Sequence, residues 1–163
     1  MKKDKIQIEA LRALIKGERV LYEKLHGDAD HLSGDRVAIV YGNGAAAFIF
    51  KPTEIFFDLA RCERSDKVAP LFCKRHDDVL LAATREAKII DDKGKVARLH
   101  TNGPLRVWIA EALCKMFDPL EARLYAAPGV GRVLALDASG ELLGVVMPCR
   151  VYDDKPGEGA QNG

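Results

Sequence analysis

The sequence predicts an α+β fold assembled from repeated units, each made of a strand, a helix and several antiparallel strands. Most segments alternate apolar and polar residues with the period of a half-buried strand, while three stretches carry the longer period of a helix. Helix starts near Glu9, Thr53 and Pro104 recur at intervals of roughly 50 residues, which indicates an internal repeat. The connections between strands are short, and short connections favour antiparallel sheets over parallel βαβ units.

The composition is typical of one soluble globular domain. Of 163 residues, 48% are hydrophobic and 30% are charged, and the net charge of +1 argues neither for nor against nucleic-acid binding. We predict one domain over residues 1–152 and a disordered tail over residues 153–163, because the tail has almost nothing to bury. No apolar run approaches the ~20 residues of a membrane helix, and no signal-peptide core follows the basic start. We therefore expect a cytoplasmic protein.

The first elements change from the period of a strand to that of a helix. Residues 5–9 alternate as a strand does, and residues 9–16 follow a helical spacing. The predicted apolar face of this helix consists of Ile8, Leu11 and Ile15. Residues 20–25 are predicted as the next strand.

An Asn-Gly pair marks the clearest hairpin of the chain. Residues 36–41 and 45–50 read as strands on either side of Asn43 and Gly44, and this pair supplies the positive φ values of a type I′ turn. A helix is predicted over residues 53–62, with Thr53 as its N-cap.

The second half of the chain is predicted as strands around one buried helix. Strands are expected at residues 68–74, 79–84, 87–90, 96–100 and 123–127, followed by a final hairpin over residues 131–151. The helix is predicted over residues 105–117, because Pro104 suits a first helical position. Its buried face would consist of Val107, Ala110, Cys114 and Phe117.

No arrangement of residues in the sequence is characteristic of a catalytic site. His26, Asp28, Asp30 and His31 have metal-binding atoms, but their spacing matches no established metal motif and their flanks predict a solvated loop. Phosphate-binding and nucleophile-elbow motifs are missing from the sequence. We therefore predict a binding module with no metal and no cofactor. The alternative is a small metal-dependent hydrolase that uses the His26–His31 loop.

The cysteines give no support to a nucleophile. All four are widely spaced and are expected to be reduced in a cytosolic protein. A cysteine nucleophile needs a nearby histidine, and Cys62 and Cys114 are predicted on apolar helical faces, where inert thiols lie.

The first predicted helix has a basic face. Arg12 and Lys16 lie on the polar side of the first predicted helix, with Lys5 and Arg19 just beyond its ends. Such a face can contact a phosphate backbone without reading bases. The alternative interpretation is an ordinary solvated helix face.

Three segments together resemble the bacterial DNA polymerase sliding clamps, or β-clamps. Residues 5–15 are similar to the strand and helix that open a clamp chain. Residues 50–61 resemble the mid-domain strand, proline and amphipathic helix with paired phenylalanines. Residues 108–150 follow the closing order of helix, three strands and a terminal Met-Pro-x-Arg, here Met147 to Arg150.

The resemblance implies antiparallel sheets outside and helices inside, facing DNA within a closed ring. It also implies a cleft near the terminal strand that captures short peptide motifs of polymerases. By position, the cleft residues are Val146, Met147, Pro148, Cys149 and Arg150. The DNA-facing residues are Arg12, Lys16, Arg106 and Lys115. Clamp chains have three domains and this chain is less than half that length. A ring would therefore need several copies, as a homo-oligomer, or would not form at all.

The expected function is that of a clamp-like accessory of DNA replication or repair that binds a partner peptide or DNA. Val145 and Met147 would lie on one face of the terminal strand, with Met147 and Pro148 partly exposed along an apolar groove. Two alternatives stay open: Met147 fills the core beneath the helix predicted over residues 105–117, or the protein is structural and has borrowed the fold.

Overall fold

The computed structural model describes residues 3–27, 30–41, 44–73 and 75–151. The described residues form two α-helices and eleven β-strands, which confirms the α+β class. The helices are α1 (Asp4–Ile15) and α2 (Glu111–Phe117). The strands are β1 (Leu21–Leu25), β2 (Arg36–Tyr41), β3 (Ala46–Phe50), β4 (Glu63–Arg64), β5 (Val79–Leu80), β6 (Ala82–Ile89), β7 (Val96–Asn102), β8 (Leu105–Ala110), β9 (Arg123–Ala126), β10 (Val133–Leu136) and β11 (Leu142–Val146).

The strands form a large sheet and a small one. The large sheet has the order β4-β1-β2-β3-β11-β10-β9-β5, and the small sheet has the order β6-β7-β8. Every pairing is antiparallel except that of β1 with the short edge strand β4. Backbone hydrogen bonds join the two sheets: the N–H of Leu81, between β5 and β6, donates to the carbonyl of Leu124, and the N–H of Cys149 donates to the carbonyl of Trp108.

The large sheet contains two similar halves. In the first, α1 is followed by the antiparallel strands β1, β2 and β3, and in the second, α2 is followed by β9, β10 and β11. The halves meet where β3 pairs with β11, with Phe48 opposite Gly144 and Ala47 opposite Val145. Each half is therefore a helix followed by a three-stranded antiparallel meander.

Both helices lie on one face of this sheet. Successive strand residues point to opposite faces, and Phe48 and Phe50 belong to the same buried cluster as Ile6 of α1 and Phe117 of α2. The rings of Phe48 and Phe117 stack with their centroids 4.7 Å apart. The helix-facing side of the sheet is thus one continuous core.

A loop segment covers the other face. Ile49 and Val145 lie in a second buried cluster together with Val68 and Phe72. Val68 directly precedes the 3₁₀ helix Ala69–Phe72, and Phe72 is its last residue. The predicted strand over residues 68–74 is therefore wrong. The buried carboxylate of Glu23 accepts the N–H groups of Val68 and Ala69 at 2.9 Å each, which satisfies these donors without a strand partner.

The start of the chain is one helix and not a strand followed by a helix. α1 begins at Asp4 and buries Ile6, Gln7 and Ala10. The Gln7 amide donates to the carbonyl of Glu54 at 2.8 Å and accepts the N–H of Phe56 at 3.1 Å. Because this buried polar residue sets which face points inward, the predicted apolar face is wrong: Ile15 is 72% exposed and Ile8 is 43% exposed.

Two other predicted helices differ from those in the structure. The helix predicted over residues 53–62 consists of the short 3₁₀ turns Pro52–Glu54 and Leu59–Arg61. The helix predicted over residues 105–117 begins only at Glu111, since Leu105–Ala110 is strand β8. Val107, Trp108 and Ile109 favour a strand, and pairing with β7 satisfies their backbone. The strands β2 and β3 pair as predicted, whereas the Asn43 turn position and the tail lie outside the described residues.

Candidate functional site

A concave apolar cavity of about 310 Å³ lies beside the terminal strand, and we call it the Met147 cavity. Its volume is at the lower end of the range typical of ligand sites. The residues that line it are Leu21, Val40, Gly44, Ala46, Ala47, Ser65, Lys67, Val68, Leu71, Val145 and Met147. Apart from Ser65 and Lys67, every side chain in this lining is apolar or absent.

The floor of the cavity is the end of the central strand pair. The N–H of Met147 donates to the carbonyl of Ala45 at 2.8 Å, which extends the β3–β11 ladder one residue beyond β11. Val145 and Met147 both line the cavity, whereas Val146 between them packs into the core on the helix side. Met147 itself is half-buried. A flexible thioether is therefore presented to the cavity from a rigid strand.

The outer wall is the segment of residues 65–71, which rests on β1. The N–H of Ser65 donates to the carbonyl of Tyr22 at 2.7 Å. Glu23, whose side chain points to this face, holds the N–H groups of Val68 and Ala69. Three backbone N–H groups of the wall are thus hydrogen-bonded to β1, so the shape of the cavity is held without a ligand. Lys67 is exposed at its rim.

The five predicted cleft residues do not lie together. Met147 lines the cavity, but Val146 faces the opposite core. Pro148 is half-buried, and Cys149 packs in the cluster of Trp108 behind the small sheet. Arg150 is exposed at the end of this segment. The alternation of the strand, and the bridge from Cys149 to Trp108, separate these side chains.

Sequence reasoning missed the wall of the cavity. Lys67, Val68 and Leu71 contribute to it, but residues 68–74 read as a strand. The role of Glu23 was also missed, because a single glutamate in a predicted strand is usually a solvent-exposed residue. The available signal was its place between the apolar residues Leu21 and Leu25 on the same face of β1.

The four predicted DNA-facing residues lie on or next to three different elements. Arg12 of α1 is exposed and pairs with Glu9 at 3.0 Å, and Lys16 is exposed just beyond the helix. Lys115 is exposed on α2. Arg106 lies on β8 and not on a helix, with its guanidinium 3.7 Å from Glu86. The predicted helical context of Arg106 is therefore wrong.

The fold places His100 beside Cys114, which lies 14 residues further along the chain. The Nε2 atom of His100 lies 3.9 Å from the Sγ atom of Cys114, and Nδ1 lies 3.1 Å from the carbonyl oxygen of Arg98. Burial raises the pKa of the Cys114 thiol to about 11 and lowers the pKa of His100. A nucleophile requires the thiolate. At neutral pH this contact therefore joins a neutral thiol to a buried imidazole, which is not an activated pair.

The His26–His31 loop is only partly described. His26 is exposed after β1, and His31 adopts a left-handed backbone with φ of 62°. The Nε2 atom of His31 is buried without a hydrogen-bond partner. Asp28 lies outside the described residues. Within the described part of the chain, no group of three or more His, Cys, Asp or Glu side chains could hold a metal ion.

No protein-family model matches this chain, and neither a curated protein nor a solved structure matches it. Among the residues that the structure describes, neither helix is long and apolar enough to cross a lipid bilayer.

Proposed function

We propose that this chain is a non-enzymatic binding module that holds a short peptide with apolar side chains in the Met147 cavity. The observation that carries this proposal is the half-buried Met147 on a rigid strand end, facing an apolar wall that Glu23 ties to β1. A preformed apolar concavity can take hydrophobic anchor residues without a large ordering cost. Lys67 at the rim would favour an acidic residue beside those anchors.

The arrangement of the helices supports a clamp-like character for this module. Each half of the large sheet is a helix followed by three antiparallel strands, and both helices pack on one face. This order is similar to the helix and strands that the resemblance to sliding clamps implies. On this basis the bound peptide belongs to a protein of DNA replication or repair, and several copies of the chain would be needed for a ring. Backbone contact with DNA through Arg12 and Lys16 is the second part of the same proposal.

Fluorescence anisotropy tests the proposal. The probe is a labelled peptide carrying the motif by which polymerases bind sliding clamps, titrated with the full chain. We expect saturable binding that weakens at least about tenfold in Met147→Glu, because a carboxylate would enter an apolar cavity. The matched control is Ile89→Glu, since Ile89 is an exposed apolar residue on β6 that does not line the cavity.

Two results would contradict the proposal: no saturable binding, or equal weakening by both variants. Circular dichroism of each variant guards against loss of fold. A labelled DNA duplex serves as a second probe, and affinity for it should fall steeply with salt if Arg12 and Lys16 contact phosphates.

Metal analysis of protein purified without a histidine tag separates this function from the hydrolase alternative. Stoichiometric zinc or manganese that is lost in His31→Ala would favour the hydrolase. Metal at trace level, unchanged in that variant, would favour the binding module.

A further inference from the structure

A second and larger cavity, of about 520 Å³, opens where β1 ends and β2 begins, and we call it the Phe57 cavity. The segment of residues 52–59 forms its far wall. The residues that line it are Lys24, Leu25, His26, Asp35, Arg36, Val37, Pro52, Ile55, Phe57, Asp58 and Leu59. None of them lines the Met147 cavity, so the two sites are separate.

The inner part of this cavity is apolar. Val37 is buried in its floor, and Ile55, Phe57 and Leu59, which pack in the same cluster as Val37, are half-buried along the wall. Their combined surface suits a flat or branched apolar body, and the volume lies within the range of small-molecule sites.

The wall is held in place from behind. The buried Gln7 amide of α1 donates to the carbonyl of Glu54 and accepts the N–H of Phe56. The carboxylate of Asp58 accepts the N–H of Ala60 at 2.9 Å and caps the turn that follows. The wall therefore has a fixed shape without an occupant, which lowers the cost of binding.

Most charged groups at the rim already have partners. The Arg36 guanidinium donates to Glu141 at 2.7 Å and to the carbonyl of Asp35 at 2.9 Å. The carboxylates of Asp35 and Asp58 each accept one backbone N–H through Oδ1, at 2.9 Å, from Gly27 and Ala60 respectively.

Lys24 and His26 differ from these groups. Over residues 3–27, 30–41, 44–73 and 75–151, neither side chain has a hydrogen bond or an ion pair with its neighbours. Lys24 lies near the end of β1 and His26 directly follows the strand, and both line the cavity. The ammonium of Lys24 and the imidazole of His26 are therefore the polar groups of this lining that have no partner within the described part of the chain, and both can donate a hydrogen bond to a ligand.

We infer that the Phe57 cavity binds a small organic anion, with its apolar body between Phe57, Ile55 and Leu59 and its carboxylate at Lys24 and His26. This inference does not depend on peptide binding in the Met147 cavity.

Three indole compounds of nearly equal size test the inference, because they differ in charge. Indole-3-acetate is an anion, 3-methylindole is neutral and tryptamine is a cation. Each is titrated into the ¹⁵N-labelled chain and followed by amide chemical shifts. We expect indole-3-acetate to bind with a Kd on the order of 1 mM, as a small ligand allows. The shifts should concentrate at residues 24–26, 35–37 and 52–59, and 3-methylindole and tryptamine should bind more weakly.

A charge-reversal variant tests the role of Lys24. Lys24→Glu should weaken indole-3-acetate at least about threefold, as expected for an exposed ion pair, and should bring tryptamine closer to it in affinity. Lys93→Glu, in the exposed turn between β6 and β7, is the matched control and should change neither affinity.

Each opposite result overturns the inference. Absence of saturation by indole-3-acetate rejects the site, and tighter binding of tryptamine to the native chain rejects the anion. Shifts centred on Val40 and Met147 would assign the compound to the other cavity. An unchanged affinity in Lys24→Glu would reject Lys24 as the partner of the carboxylate.

Discussion

The ring of Phe117 lies directly over Gly144, at a distance that leaves no room for a side chain on residue 144. A Cβ built there would stand 2.5 Å from Cζ of Phe117 and 2.6 Å from the carbonyl oxygen of Ala47. The same ring stacks on Phe48, which is the strand partner of Gly144. Helix α2 is therefore seated at the junction between the two halves of the large sheet.

We expect Gly144→Ala to lower the free energy of unfolding by about 1–3 kcal/mol, because the added methyl group overpacks this junction. Urea denaturation followed by circular dichroism measures the change. Gly131→Ala is the control, since a Cβ at Gly131 would meet nothing within 4 Å. Equal stability of Gly144→Ala and the native chain would show that α2 can shift away from β11.

Arg132→Ala should be among the most destabilising single changes. Arg132 is buried and donates to Asp78 at 2.6 and 3.0 Å and to the carbonyls of Leu71 and Cys73. Its removal leaves a largely buried carboxylate without its partner, which costs about 3–5 kcal/mol. Arg75→Ala removes an exposed pair with Asp77 and should cost less than about 1 kcal/mol. A similar melting temperature for the two variants would contradict the buried network.

Thiol labelling should separate the cysteines by exposure. Cys73 is exposed and should react with a disulfide reagent at pH 8 within the fast phase. Burial raises the pKa of Cys114 to about 11, so at pH 8 only about 0.1% of it is thiolate. Its labelling rate should rise as the pH increases toward that pKa. Cys73→Ser should remove the fast phase, and persistence of that phase would contradict this assignment.

Met147→Ala distinguishes a cavity residue from a core residue. Because Met147 is half-buried along a cavity, we expect its truncation to cost less than about 1 kcal/mol. Leu134→Ala, on the same face of the sheet but fully buried, should cost about 2–5 kcal/mol. Chemical denaturation compares the two. A loss in Met147→Ala as large as that in Leu134→Ala would place Met147 in the core and count against the peptide site.

The sequence alone determined the parts of this protein whose signals are local. The pairing of β2 with β3 follows from the Asn-Gly turn signal between two apolar runs, and the strands β9 to β11 lie close to their predicted ranges because their apolar runs are bounded by turn residues. Successive residues of a strand point to opposite faces, which places Val145 and Met147 on one face. These patterns act between neighbours in the chain, so no knowledge of distant residues is needed to use them.

Only the tertiary structure decided the face of α1, the nature of Leu105–Ala110 and the wall of the Met147 cavity. Gln7 turns α1 through hydrogen bonds to Glu54 and Phe56, which lie nearly fifty residues away. Glu23 replaces strand pairing at Val68 and Ala69, and pairing with β7 makes a strand of a segment with helical spacing. In each case a buried polar group or backbone must find a partner, and the penalty for leaving it unpaired exceeds local conformational preference.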